Sequence, residues 1–250
     1  MALPFAALLV WWLAARLAFL PEYVLPSPAS VLSALGAYVF GSNSQNAYGG
    51  RFLGDFVSSM TRIGCGFFLA VLAGLPLGLA SGRISALRWL LTLPVGGLRA
   101  VPGICWLPLA LVWLGIGFKT TVFLIAIAAF FPIYLNSASG ASSVPAVLVR
   151  AGSMLGLSRI AVSFRIILPA SMPHIRTGLR LGLGLSFAYL VLGELTGVPD
   201  GIGAMIMDAR LLGRVDMIMA GIILMAVLGW VADRLLVLTL RTAFKSARRS

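Results

Sequence analysis

Residues 67–80 read FFLAVLAGLPLGLA and residues 217–230 read MIMAGIILMAVLGW, with no charged side chain in either run. Runs of this kind recur along the chain and restrict its fold more than any other feature. A water-soluble domain has too little interior to hide them, because its surface must carry polar groups. Of the 250 residues 60% are hydrophobic and only 10% charged, which places the chain in the integral membrane class without a large soluble domain. The formal charge of +12 would suggest nucleic acid for a soluble protein. Basic residues in loops between apolar runs instead meet anionic lipid, so the bilayer is the expected partner and nucleic acid is not.

Six apolar segments approach the ~20 helical residues needed to cross a hydrocarbon core: residues 3–20, 56–80, 89–114, 121–136, 179–195 and 217–240. The third is too long for one straight helix and holds Pro94, Pro102 and Pro108, so a kinked span is expected there. Residues 1–20 carry the apolar core of a signal peptide without its basic leader, which favours a retained span. With no long-period repeat or soluble linker, residues 1–250 read as a single all-α transmembrane domain. Cys65 and Cys105 lie in apolar runs and read as small buried hydrophobes rather than disulfide partners or metal ligands.

Charge orients the bundle. The loops after spans two and four and the C-terminal tail hold Arg83, Arg88, Arg150, Arg159, Arg165, Arg176, Arg241, Lys245, Arg248 and Arg249 without an acid. The opposite loops hold Arg51, Lys119, Arg210 and Arg214 against Glu22, Asp55, Asp200, Asp208 and Asp216. The positive-inside rule then puts both termini in the cytoplasm. The pairs Gly74/Gly78, Gly178/Gly182 and Gly193/Gly197 have the spacing that lets membrane helices approach closely.

No GxxxxGK[ST] loop is present, so the chain does not hold ATP phosphates in that way. His174 has no Cys, Asp or Glu near it in sequence to complete a catalytic or metal site, and an interfacial role is expected. Glu194 and Asp233 are the acids inside the expected spans, at opposite ends, which makes a poor proton relay. Two readings of Glu194 stand side by side: a residue lining the translocation pathway, or a glutamate at the membrane boundary. Arg99, in LRAVPGICWLP with Trp106, either snorkels to the inner surface or lines the pathway, where its guanidinium would favour an anionic solute.

The most telling segment is residues 150–169, RAGSMLGLSRIAVSFRIILP. It resembles the cytoplasmic loop of ABC importer permeases, E-A-A-x3-G-x9-I-x-L-P, with Ala151, Gly156, Ile166, Leu168 and Pro169 at matching positions. LPSPASVL, SSMTRIGCGFFLAVLAGLPLGLASG, LRAVPGICWLPLALVWLGIG and GELTGVPDGIGAMIMDAR are similar to the nitrate/sulfonate/taurine-type subfamily. Two positions depart from the pattern: Arg150 stands where the family has Glu, and Gly152 where it has its second Ala. Glycine loosens a helix by about 1 kcal/mol relative to alanine.

The resemblance implies a type I importer (MetI-like) permease and a small anionic or zwitterionic solute moved by alternating access. It also implies a second permease copy, two ATPase subunits carrying the ATP and Mg, an extracytoplasmic solute-binding protein, and a multi-pass location in the bacterial inner membrane. The chain itself would carry no cofactor and catalyse no covalent change. Residues 145–172 would be the coupling loop, docking through Arg150, Ala151, Gly152, Met154, Leu155, Gly156, Leu157, Ser158 and Arg159, with a short helix ended by Pro169. On the opposite side, residues 197–216 read either as a short helix with Asp208 and Arg210 as candidate contacts for the binding protein or as an ordinary surface loop. An ion-coupled carrier without an ATPase, and a non-transporting membrane scaffold, are the alternatives.

Overall fold

Every described element of the computed structural model is helical, over residues 2–17, 21, 22, 24–41 and 48–243. In chain order the α-helices are α1 (Ala2–Arg16), α2 (Pro28–Phe40), α3 (Phe52–Arg83), α4 (Ser85–Ala100), α5 (Trp106–Leu114), α6 (Phe118–Ser143), α7 (Ala146–Met154), α8 (Arg159–Val162), α9 (Leu168–Glu194), α10 (Ile202–Leu211) and α11 (Val215–Ala243). A 3-10 turn at Gly103–Cys105 leads into α5 and a π-turn at Ser163–Ile167 leads into α9.

Four helical stretches are long and apolar enough to cross a membrane: Phe52–Arg83, Phe118–Ser143, Arg159–Glu194 and Val215–Thr242. A fifth span is possible if Ser85–Ala100 and Gly103–Leu114, bent by 85°, count as one. The expected first span is described as helix to Arg16, and its residues 18–20 lie outside the described residues, as do Lys245, Arg248 and Arg249 of the tail. The expected kink is real, but it falls at Val101 and Pro102, while Pro94 is absorbed inside α4.

The chain forms two compact units, one of Met1–Thr61 with Val191–Leu228 and the other of Arg62–Leu190 with Gly229–Ser250. In the second unit α6 is the central helix. Ala129 and Ile133 pack with Ala70 of α3 and with Met172, Ile175 and Leu179 of α9. Glycine makes both seams narrow. A Cβ at Gly74 or Gly78 of α3 would meet Ile133 or the Tyr134 carbonyl, and one at Gly178 or Gly182 of α9 would meet Asn136 or Ile133. Two of the three small-residue pairs therefore serve helix packing as expected. The third does not, because α9 ends at Glu194 and Gly197 lies beyond it with φ +96°.

Cys65 and Cys105 are exposed, not buried. In a chain whose solvent is lipid, an apolar run marks the surface as readily as the core. Trp89, Leu93, Val112 and Leu72 are likewise exposed.

In the first unit Trp11 of α1 donates its indole N–H to the Pro26 carbonyl at 3.1 Å. Ser27 caps α2 by accepting from the Ser30 N–H, with Pro28 at the first helical position where its missing donor costs nothing.

Candidate functional site

The bend after α4 builds a cleft. Arg99 at the end of α4, Pro102 and Gly103 in the bend, and Trp106 opening α5 line a cavity of about 430 Å³. Its far wall comes from α6 (Ala128, Phe131, Pro132, Asn136) and α9 (Leu181, Leu185, Tyr189). Leu181, Leu185 and Tyr189 recur every four residues and so form one stripe of α9. Tyr189 lies directly against Gly103, whose position leaves no room for a Cβ. The cleft thus combines a guanidinium, an amide and a phenol with apolar and aromatic walls, a composition suited to an anion that carries a carbon body.

Arg99 and Trp106, both singled out in the sequence, are brought together here. Glu194 is not part of this cleft. Gly103, Asn136 and Tyr189 were not singled out, although a lone amide in the apolar run FFPIYLN was a readable signal.

Glu194 belongs to the first unit and is fully buried. Its carboxylate accepts from the Ser59 hydroxyl at 2.8 and 3.0 Å and from the Gly203 N–H at 2.8 Å. Ser59 in turn accepts from the Ile202 N–H at 3.0 Å, and Asp55 accepts from the Gly201 N–H at 2.9 Å and from the Tyr38 hydroxyl at 2.8 Å. Three successive amides at the start of α10 are therefore met by two carboxylates and a hydroxyl, where the helix dipole favours negative charge. Gly201 suits this position twice: its φ is +117°, and a Cβ would strike the Glu194 carboxylate. Burial, and then the Asp55 charge, push the Tyr38 phenol well above its ordinary range, so it remains a donor.

Asp55 was read as a loop acid and proves to be a buried residue in the first turn of α3. Arg62, also on α3, is only 4% exposed, and an arginine in the apolar run after SSMT was a missed signal. At the other end of α10, Asp208 faces Arg51 at 3.4 Å beside a hollow lined by Tyr48, Leu211 and Leu212, while Arg210 is exposed outside it.

Residues 146–167 fold back on themselves. α7 ends in a glycine cap, with Gly156 donating to Ser153 and Leu157 to Gly152, and φ +78° at Gly156. The glycine of the motif is thus needed for backbone conformation. Gly152 is buried, and a Cβ there would stand 2.4 Å from Ile166 Cδ1. Its departure from alanine is matched by how tightly Ile166 closes over it. Met154 and Leu155 are 87% and 82% exposed, and Arg150, Ala151, Ser158 and Arg159 are also on the surface, with Leu157 half-buried.

Contrary to the expectation from sequence, Pro169 does not end a helix but lies inside the continuous helical stretch Arg159–Glu194, just after its π-turn. The π-turn just before it carries the Leu168 N–H back to the Ser163 carbonyl and makes room for the ring.

These features define a membrane-embedded permease. The chain belongs to the family described as binding-protein-dependent transport system inner membrane component, whose sequence pattern matches residues 66–243. Among curated proteins it is similar to the taurine transport system permease protein TauC of Escherichia coli, 35% identical over 90% of this chain and 81% of that one. It is similar to the putative aliphatic sulfonates transport permease protein SsuC of Bacillus subtilis, at 32% over 92% and 81%, and to the nitrate import permease protein NrtB of Synechocystis, at 33% over 84% and 77%. Among solved structures, an inward-facing MetNI methionine ABC transporter shares the fold, with a TM-score of 0.59 and 18% identity over 74% of this chain and 94% of that one. The protein is a multi-pass transport permease subunit, not an enzyme, and ATP hydrolysis in this family resides on separate subunits.

Proposed function

We propose that the chain forms the translocation pathway of an ATP-driven importer for a small anionic or zwitterionic solute of the sulfonate, taurine or nitrate kind. The observation that carries the solute class is the cleft, where Arg99 and Trp106 share one cavity with Asn136 and Tyr189. The names of the taurine, sulfonate and nitrate relatives support the same class. Residues 1–250 act as one permease domain, and two copies pair around the pathway with two ATPase subunits below. Both termini face the cytoplasm of a bacterium, on the positive-inside count. The exposed Met154 and Leu155, with Arg150, Ala151, Gly152, Gly156, Leu157, Ser158 and Arg159 around them, dock the ATPase. Arg150, in place of the family's glutamate, meets an acidic patch there. Asp208 and Arg210 contact the solute-binding protein on the opposite side.

The test is uptake of radiolabelled taurine, an alkanesulfonate and nitrate by the reconstituted transporter, comparing wild type with Arg99→Gln and Arg99→Lys. Loss of uptake in the glutamine variant with partial retention in the lysine variant supports an anion-binding pathway. Unchanged uptake in both would overturn it.

A further inference from the structure

The cleft does not end at Arg99. That side chain and Leu135 also line a second hollow of about 500 Å³, which follows the groove between α4 and α6 to the end of α3. Both cavities lie wholly within the second compact unit. Arg88, Thr92, Val95 and Arg99 recur every three or four residues and so share one face of α4. On α6 the same spacing joins Ala128, Phe131 and Leu135 of the cleft to Ala138 and Ser142 of the hollow. One stripe of one helix therefore floors both cavities. It leads toward Ser143 at the end of α6, next to residues 145–172.

The donors of this hollow suit an anion. Arg88 is held by two backbone carbonyls at the end of α3, with Nε on Ser81 at 3.2 Å and Nη2 on Gly82 at 2.7 Å. Both acceptors are neutral and leave its charge uncancelled. Arg99 has no hydrogen-bond or ion-pair partner among the described residues. Tyr134 is only 5% exposed and also lines the hollow, and its hydroxyl has no hydrogen-bond partner among the described residues. A buried phenol left in that state carries a desolvation cost that a ligand oxygen would remove. Thr92 and Ser142 spend their hydroxyl hydrogens on carbonyls of their own helices, at 2.6 and 2.9 Å, so the two guanidinium groups and the phenol are the donors left. Residues 62–190 contain no Asp or Glu, and Asp233, the one acid in residues 229–250, is taken by Arg180. A groove with cations at both ends and no carboxylate between them concentrates small anions.

We infer that the groove between α4 and α6 is a second station for the same anionic solute, where Arg88 and the Tyr134 hydroxyl receive an anion handed on by Arg99. The inference rests on the proposed reading that the cleft carries the solute. Arg88 and Arg99 are 11 residues apart on α4, about 16 Å at 1.5 Å per residue. Arg99 belongs to both stations, so the solute passes in two short steps without leaving a positive field.

Thiol modification of the transporter, purified with its ATPase subunits and with Cys65 and Cys105 replaced by serine, tests this. Ser139→Cys puts a thiol at an exposed position in the hollow, and Leu185→Cys puts one in the cleft. The probes are two methanethiosulfonates, an ethylsulfonate that is itself a small sulfonate anion and an ethyltrimethylammonium cation. Each rate is divided by that reagent's rate with a free thiol in solution. At Ser139→Cys the anionic reagent should then react roughly tenfold faster than the cationic one, and excess ethanesulfonate should slow it. Arg88→Gln should reduce that preference roughly fivefold, while Arg88→Lys should keep most of it. Thr92→Asp leaves Arg88 in place but cancels charge in the same groove, so it should lower the preference too and serves where Arg88→Gln does not purify. Equal rates for the two reagents at Ser139→Cys would overturn the station. So would a lack of protection by ethanesulfonate, or a preference that survives Arg88→Gln or Thr92→Asp. If the anionic reagent still prevails at Leu185→Cys, such a result removes the second station and leaves the proposed cleft standing. Loss of the preference at both positions would contradict both.

Discussion

At the residue scale, Glu194 shows how one buried carboxylate organises an element that begins eight residues later. With Ser59 it satisfies the Ile202 and Gly203 amides, and nothing of that role follows from its hydropathy context. Replacing it with alanine strands the Gly203 N–H, at a cost of about 1–3 kcal/mol. Glutamine keeps one acceptor oxygen at nearly the same volume. Thermal unfolding of purified protein should therefore show Glu194→Ala well below Glu194→Gln, and equal melting temperatures would contradict the geometry. Gly103 offers a second case. A methyl group there collides with Tyr189, so Gly103→Ala is destabilising by about 1–3 kcal/mol. The same change in a Tyr189→Leu background should cost little, a coupling that a double-mutant cycle in thermal stability would read. Sequence pointed to Arg99, Trp106 and Glu194 because charge or a large aromatic in an apolar run is costly. It was silent on Gly103 and Ser59, whose importance lies in what packs against them.

At the scale of elements, the apolar runs placed the long helices but not their ends. The expected span 121–136 is extended to Ser143 in α6, and 179–195 begins at Leu168 in α9. Those extra turns are polar or proline-containing, and tertiary packing at Gly140, Gly178 and Ile175 holds them helical. The motif of residues 150–169 was legible in its spacing, while its internal geometry was not. The glycine cap at Gly156 and the π-turn before Pro169 depend on backbone hydrogen bonds that a pattern does not display. Two variants separate conformation from docking. Gly156→Ala forces a left-handed conformation on a side chain and should destabilise by about 1–2 kcal/mol. Leu155→Asp, at an 82% exposed position, should leave stability within about 0.5 kcal/mol of wild type. It should nonetheless abolish co-purification of the ATPase subunit. Retention of that subunit in Leu155→Asp would remove this loop from the interface.

On the scale of the whole molecule, membrane class and permease fold were readable because lipid demands long apolar helices and because one loop carries a spaced motif. The division into two compact units was not, since its boundaries fall inside α3, α9 and α11 rather than at linkers. The central claim is that this chain moves solute only when partner subunits hydrolyse ATP. The most direct measurement is uptake into proteoliposomes that contain the permease with its ATPase subunits, supplied with binding protein and taurine, an alkanesulfonate or nitrate. The account predicts accumulation with ATP inside the ATPase-facing compartment and none when the ATPase subunits are left out. Accumulation driven by a proton or sodium gradient in their absence would contradict it.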